Sequence, residues 1–215
     1  VRGADTGRRA ALRACALACA GPLAGCEVLR NDAPSFDYHV IRDLRPAVPA
    51  AAGTPPRVDR TLLVAAGPTQ ALFDSDRMVF TRDGAAHSYY QFSNWSQRPA
   101  RRIQSLAEAR LAASGGFGSV AGSLAGIRGD LLLSLRLDEL VHDDSAPPGV
   151  MRVAVTADLL DWRRRTIVAR RSFAQAEPVK SRDARGAARA ADEAVTALLD
   201  ALAPWVESSA ASIRP

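Results

Sequence analysis

Residues 131–160 carry the pattern that most restricts the fold. Leu131, Leu133, Leu135 and Leu137 alternate with positions that include Ser134 and Arg136. Further on, Met151, Val153, Val155, Ala157 and Leu159 alternate with Arg152, Thr156 and Asp158. Side chains that change face at every residue belong to strands. One apolar and one polar face means a sheet covered on one side, the habit of antiparallel sheets. Ser145-Ala146-Pro147-Pro148-Gly149 separates the two strands, and residues 161–165 (DWRRR) turn the chain into a third, predicted from Thr166 to Ala174.

Such a sheet needs a cover. A long helix is predicted from about Arg182 to Glu207, with Ala187, Ala191, Ala194, Val195, Leu198, Leu202 and Trp205 on one face. A second helix is predicted over 99–113: Pro99 suits a first turn, Ile103, Leu106, Ala107 and Leu111 follow helical spacing, and Gly115-Gly116 ends it. Phe117 to Val120 reads as a short strand. Upstream, Thr61 to Ala66 (TLLVAA) reads as a buried strand. Arg77 to Arg82 and Ala86 to Phe92 form a hairpin about Asp83-Gly84, because glycine accepts the positive φ of such turns. Tyr38 to Leu44 reads as a first strand. The Pro- and Ala-rich stretch 45–60 follows as a surface loop, since its prolines lack backbone donors. The expected class is α+β: a mostly antiparallel sheet with two main helices packed on one face.

The N-terminus reads as a leader to be removed before folding. A basic region ending at Arg13 precedes a short apolar run, Ala14 to Leu23, too short to span a bilayer, with small residues at its end. Leu23-Ala24-Gly25-Cys26 resembles the bacterial lipobox at every position. That resemblance implies cleavage between Gly25 and Cys26, diacylglyceryl on the Cys26 thiol and acylation of the new amino group. Two or three acyl chains anchor stably where one binds marginally. The resulting organisation is a signal peptide at 1–25, a lipidated tether at 26–35, an α+β domain at 36–208 and a flexible tail at 209–215. Glu27, in place of an aspartate, leans toward the outer membrane by enterobacterial-type sorting.

Charge and cysteine content agree. Four arginines against Asp5 give residues 1–25 a net +3, which leaves +2 of the chain's +5 for the rest. That is a weak footprint for nucleic acid, which is not expected as a partner. The arginine clusters 101–102, 163–165 and 170–171 read as solvated faces. Cys15 and Cys19 leave with the leader and Cys26 is acylated, so no internal disulfide forms and a core of about 190 residues must suffice.

Candidate contact residues are few. Tyr89, Tyr90, Phe92 and Trp95 form an aromatic cluster. Tyr89 and Tyr90 are adjacent in a strand and face opposite sides, so one is core and the other a candidate binding aromatic. Side chains of this kind more often supply core area; within the cluster Tyr89, Tyr90 and Trp95 are the candidate partner or lipid contacts. No catalytic or metal-binding residue is assigned. His39, His87 and His142 lie apart without metal-ligand spacing. Adjacent residues such as His142-Asp143-Asp144 rarely converge on one ion. The serines lack the G-x-S-x-G elbow. The glycines between 115 and 129 match neither a P-loop nor a dinucleotide fingerprint, and read as a tightly packed or moving loop.

The ordered set of motifs resembles the ABC-type transport auxiliary lipoproteins, the family that includes the PqiC-type proteins. It comprises the lipobox, Tyr38-His39-Val40, Met78-Val79-Phe80 leading to Tyr89-Tyr90, Asn94-Trp95-Ser96-Gln97-Arg98-Pro99, Gly116-Phe117-Gly118-Ser119-Val120 and the leucine strand 131–137. This chain departs in its long 45–57 loop and in lacking an acidic residue just before Pro99. The resemblance implies a non-enzymatic lipoprotein on the periplasmic face of the outer membrane, with no cofactor beyond the lipid on Cys26. It would be homo-oligomeric, docking an MCE-domain protein of an ABC system that moves phospholipid or other hydrophobic molecules. The alternative is an envelope scaffold or an activator of cell-wall synthesis.

Overall fold

The computed structural model describes residues 35–45, 56–123 and 125–213. Eight strands form one sheet: β1 Asp37–His39, β2 Val58–Ala66, β3 Arg77–Thr81, β4 His87–Trp95, β5 Phe117–Gly122, β6 Leu131–Asp143, β7 Val150–Asp161 and β8 Thr166–Pro178. Two helices accompany them, α1 Pro99–Ser114 between β4 and β5, and α2 Ala184–Ala211 after β8. The α+β expectation holds.

The long strands β6, β7 and β8 form the antiparallel backbone of the sheet. The other side of β6 is shared. Its first half pairs in parallel with β2, through Leu62↔Leu131 and Leu63↔Leu132, and its last residues pair in parallel with β3, through Phe80↔His142. β5 lies parallel to β2, and the β3–β4 hairpin carries β1 in parallel at its edge. The sheet curls into a half-barrel, with α1 packed on β2, β5 and β6 and α2 on β7 and β8.

The alternating residues do what their spacing dictates. Leu131, Leu133, Leu135, Leu137, Met151, Val153, Val155, Ala157 and Leu159 are all buried. α2 lays Ala187, Ala191, Ala194, Val195, Leu198 and Leu202 over β7 and β8, and α1 lays Ile103, Ala107 and Leu111 over β2, β5 and β6. Small side chains along α2 let it approach the sheet closely. Asp183 starts α2 by accepting from the Gly186 amide at 2.6 Å. Gly115, at φ 67°, ends α1 in the left-handed cap that glycine adopts without strain. At Gly129 a Cβ would lie 2.4 Å from Leu63 Cγ, so this glycine is there for close packing.

Several boundaries differ from expectation. β6 runs on to Asp143 past an irregularity between Leu137 and Glu139, after which Leu140, Val141 and His142 are all buried and the alternation breaks. β8 extends to Pro178. α2 continues to Ala211, beyond the expected end at Glu207 and into the proposed tail, because Ala210 is also buried. The predicted first strand, Tyr38 to Leu44, shortens to β1. Beyond it, Asp192 and Thr196 of α2 take the backbone N–H groups of Arg42 and Leu44, at 2.8 and 2.9 Å, so these amides have no ladder to join. The leader, the tether through Pro34 and most of the 45–60 loop lie outside the described residues.

Candidate functional site

Tyr89 and Tyr90 point to opposite sides of β4, as adjacent strand residues must. Tyr90 leans on Phe80, with ring centroids 4.9 Å apart, and its hydroxyl shares a 2.6 Å hydrogen bond with His142 Nδ1. Tyr89 lies under the Arg77 guanidinium, 4.1 Å from the ring centroid. Both rings are half-buried against the core, and neither is the exposed aromatic that was expected. Trp95 is 2% exposed and is a core residue, so it offers no surface to a partner. Gly25 and Cys26 lie outside the described residues.

Around His142 the three adjacent polar residues diverge. His142 is buried, Asp143 binds Arg152, and Asp144 binds Arg182 at 2.6 Å. His142 Nε2 has no protein partner, and Asp144 stands 3.9 Å from it. Burial pushes the His142 pKa down, against the pull of the Asp144 charge. Burial also raises the Tyr90 phenol to about 12, with the Asp144 charge adding to the effect. The pair is thus a neutral tyrosine on a neutral imidazole, a structural strut between β4 and β6. Among the described residues no group of three or more His, Cys, Asp or Glu is placed to hold a metal ion.

A second polar centre ties the helices to the entering chain. Arg110 of α1 donates to both Asp43 oxygens and to Asp200 Oδ1 of α2, the last at 2.6 Å. Burial of the guanidinium opposes its charge, but the hydrogen bonds to Asp43 and Asp200 outweigh that and raise its pKa. Of the seven arginines expected on solvated faces, three also form ion pairs while staying exposed: Arg163 with Asp130, Arg164 with Asp161 and Arg170 with Asp158.

Three exposed aromatics lie elsewhere, where the chain enters the domain. Phe36 stacks obliquely on Tyr38 at 5.7 Å and meets Phe92 edge-on at 6.4 Å. Phe36 is 47% exposed, Tyr38 63% and Phe92 40%, and Val40 beside them is exposed as well. Next to this cluster runs an open groove of about 710 Å³ between β1, the segment after it and the first half of α2. Tyr38, Val40, Arg42, Arg185, Arg189 and Asp192 line it. Arg42 is bound to the buried Asp192 at 2.8 Å, and Arg185 stands 3.5 Å from Asp37. Burial raises the Asp192 pKa, and the Arg42 hydrogen bonds pull it back. His39 borders the groove with its Nε2 buried and unpartnered; burial lowers its pKa. Of this surface, sequence reasoning placed only Phe92 among the aromatics of the contact cluster, and named Tyr38, His39 and Val40 as a family motif alone. The available signal was the alternation of Phe36 and Tyr38 around Asp37, which places two aromatics on one side of an edge strand.

No helix among the described residues is long and apolar enough to cross a membrane. The fold has solved counterparts. The protein XCC0632 from Xanthomonas campestris is 23% identical, with a TM-score of 0.69 over 79% of this chain and 95% of that one. A second, uncharacterized protein is 10% identical, with a TM-score of 0.61 over 80% of this chain and 99% of its own. At these identities the likeness shows the fold alone. No curated protein is similar enough in sequence to count as a match. The family model for the ABC-type transport auxiliary lipoprotein component matches residues 43–203, from Asp43 of the Arg110 centre through most of α2. The chain belongs to the ABC-type transport auxiliary lipoprotein family.

Proposed function

We propose that this protein is a docking and hand-off component of an MCE-type ABC system, anchored by lipid on Cys26 to the periplasmic face of the outer membrane. It works as a homo-oligomer and forms no covalent bonds with its cargo. The observation that carries the reading is the family match over residues 43–203. The lipobox at 23–26 supports the anchor. The polar centres of the domain fit a docking role, because their polar groups are spent on one another. Arg110 is closed by Asp43 and Asp200, Asp144 by Arg182, and Tyr90 by His142. Phospholipid or another hydrophobic molecule is the proposed cargo of the system.

The test is a crosslinked pull-down of the tagged, lipidated protein from native envelopes, with mass spectrometry of the captured proteins and lipids. Recovery of an MCE-domain protein with its ATPase is the expected result. Recovery of cell-wall synthases without any MCE protein at a saturating crosslinker dose would replace this reading with the scaffold one. Replacement of Cys26 by alanine should leave the protein unprocessed or soluble; an unchanged outer-membrane fraction would remove the anchor.

A further inference from the structure

We propose that the Phe36–Tyr38–Phe92 cluster and the arginine-lined groove beside it form the face on which the domain lies against an anionic phospholipid bilayer. The proposal rests on the Cys26 anchor only for where that bilayer is. Three observations point to it.

First, the exposed aromatics are gathered. Phe36 touches both Tyr38 and Phe92, and exposed Val40 extends the patch. Scattered apolar side chains on a surface need no explanation, but a contiguous group marks a contact. Aromatic rings are favoured at the headgroup level of a bilayer, where one side of the ring is apolar and the other wet.

Second, the border of the patch is cationic. Arg42, Arg185 and Arg189 line the groove against the carboxylates of Asp192 and Asp37. Arg189 donates to the Arg185 carbonyl at 3.4 Å and forms no ion pair among the described residues, although Asp183 lies near enough to feel its charge. An arginine can rest its stem on apolar surface and hold its head toward phosphate. A single bilayer contact therefore takes both halves of this surface.

Third, the chain enters here. Phe36 is ten residues after Cys26, a length that extends at most about 36 Å. A bilayer holding the acyl chains of Cys26 is within reach of Phe36 and its neighbours. The other exposed aromatic, Trp162, lies in the β7–β8 turn. That turn sits at the Leu131↔Asp161 end of the β6–β7 ladder, whereas α2 begins near the Asp143↔Val150 end. Two arginines beside Trp162 are already paired with Asp130 and Asp161.

The experiment uses protein begun at Glu27, which keeps every core residue from Ile41 to Ala210 and carries neither leader nor lipid. Its sedimentation is measured with vesicles of equimolar phosphatidylcholine and phosphatidylglycerol, and with phosphatidylcholine alone. Binding to the mixed vesicles, weakened by salt, is expected. An arginine near an anionic surface contributes about fivefold in affinity, so Arg185→Ala with Arg189→Ala should weaken binding up to about 25-fold. Phe36→Ser with Phe92→Ser should remove most of what remains, and Trp162→Ala should change nothing. All these side chains are exposed, and unchanged thermal melts will show that the variants fold.

Absence of binding to the mixed vesicles overturns the proposal. So does binding that Trp162→Ala abolishes and the Phe36–Phe92 pair does not. A third overturning result is light scattering in which Phe36→Ser/Phe92→Ser turns an oligomer into a monomer with vesicle binding intact, because the patch then covers a second copy. Mass spectrometry of the Cys26 peptide from envelopes tests the anchor separately. An unacylated Cys26 would end that reading and leave the vesicle result standing.

Discussion

Removing the Arg110 guanidinium should loosen three elements at once, and the size of the effect follows from its surroundings. Arg110 is 15% exposed, Asp43 12% and Asp200 25%, so the triad is neither a surface pair nor fully dry. Exposed ion pairs contribute about 0–1 kcal/mol, and breaking a buried pair from one side costs about 3–5 kcal/mol. Arg110→Met keeps most of the stem and strands two largely buried carboxylates. Asp200 retains Arg45 at 2.9 Å, and Asp43 still accepts from the Arg45 amide at 3.0 Å. The cost should therefore fall between the limits, at about 2–3 kcal/mol. For a domain of this size that lowers Tm by roughly 4–12 °C. Urea unfolding followed by tryptophan fluorescence measures it, with Trp95 as an interior reporter. Adding Asp43→Leu to Arg110→Met should recover part of the loss, since one uncompensated charge is gone. A single variant within about 0.5 kcal/mol of wild type would mean the triad is no stronger than a surface bridge, and the reasoning would fail.

The interior position of Trp95 predicts that Trp95→Ala costs about 3–5 kcal/mol in urea unfolding followed by far-UV circular dichroism; a variant of wild-type stability would show that the ring is not packed. Asp192→Ala should strand the Arg42 amide and speed hydrogen exchange at residues 42–44 without altering exchange in the β6–β7 ladder, and equal rates in both places would refute a local role. The buried His142 also predicts a pH dependence. Its folded pKa lies below the ordinary 6.5, so its contribution is complete above that value and is lost as pH falls toward the folded pKa. Its share of the slope is at most about 1.4 kcal/mol per pH unit, so His142→Leu with Tyr90→Phe should flatten the stability profile between pH 7 and 5. His39, also depressed, contributes to both profiles and cancels in the difference; parallel profiles would contradict the assignment.

The legible part of the fold was the part written in periods. Leu131 to Leu137 and Met151 to Leu159 announced β6 and β7 because half-buried strands cannot hide their alternation. Pro99 and the two glycines at 115–116 bracketed α1, and Asp83-Gly84 marked the β3–β4 turn. Pairing partners are another matter. Nothing local in Thr61–Ala66 says that it runs parallel to β6 on one side and to β5 on the other. Where tertiary contacts replace the ladder, periodicity misleads: Ile41 to Leu44 look like strand residues, yet Asp192 and Thr196 hold the amides of Arg42 and Leu44. Trp95 illustrates the same limit for sites. An aromatic at a strand end is core or surface depending on which helix lies above it, and α1 begins only four residues later.

The entering segment joins these strands of reasoning. β1 has only three residues of ladder, a weak hold for the point at which a tether meets a domain. The chain beyond it is secured instead by side chains of both helices. Arg102 of α1 donates to the Ile41 carbonyl at 2.7 Å, Asp192 and Thr196 of α2 take the next free amides, and Arg110 closes on Asp43. Polar contacts of this kind are directional, so they extend the hold on the segment beyond the short strand pair. A fixed path keeps Phe36, Tyr38 and Val40 on the surface, beside Phe92 and the arginines of α2, where a flexible segment would let them fold back onto apolar neighbours. The buried Asp192 and the half-buried Arg110 thus secure residues 42 and 43, directly after the exposed Phe36, Tyr38 and Val40.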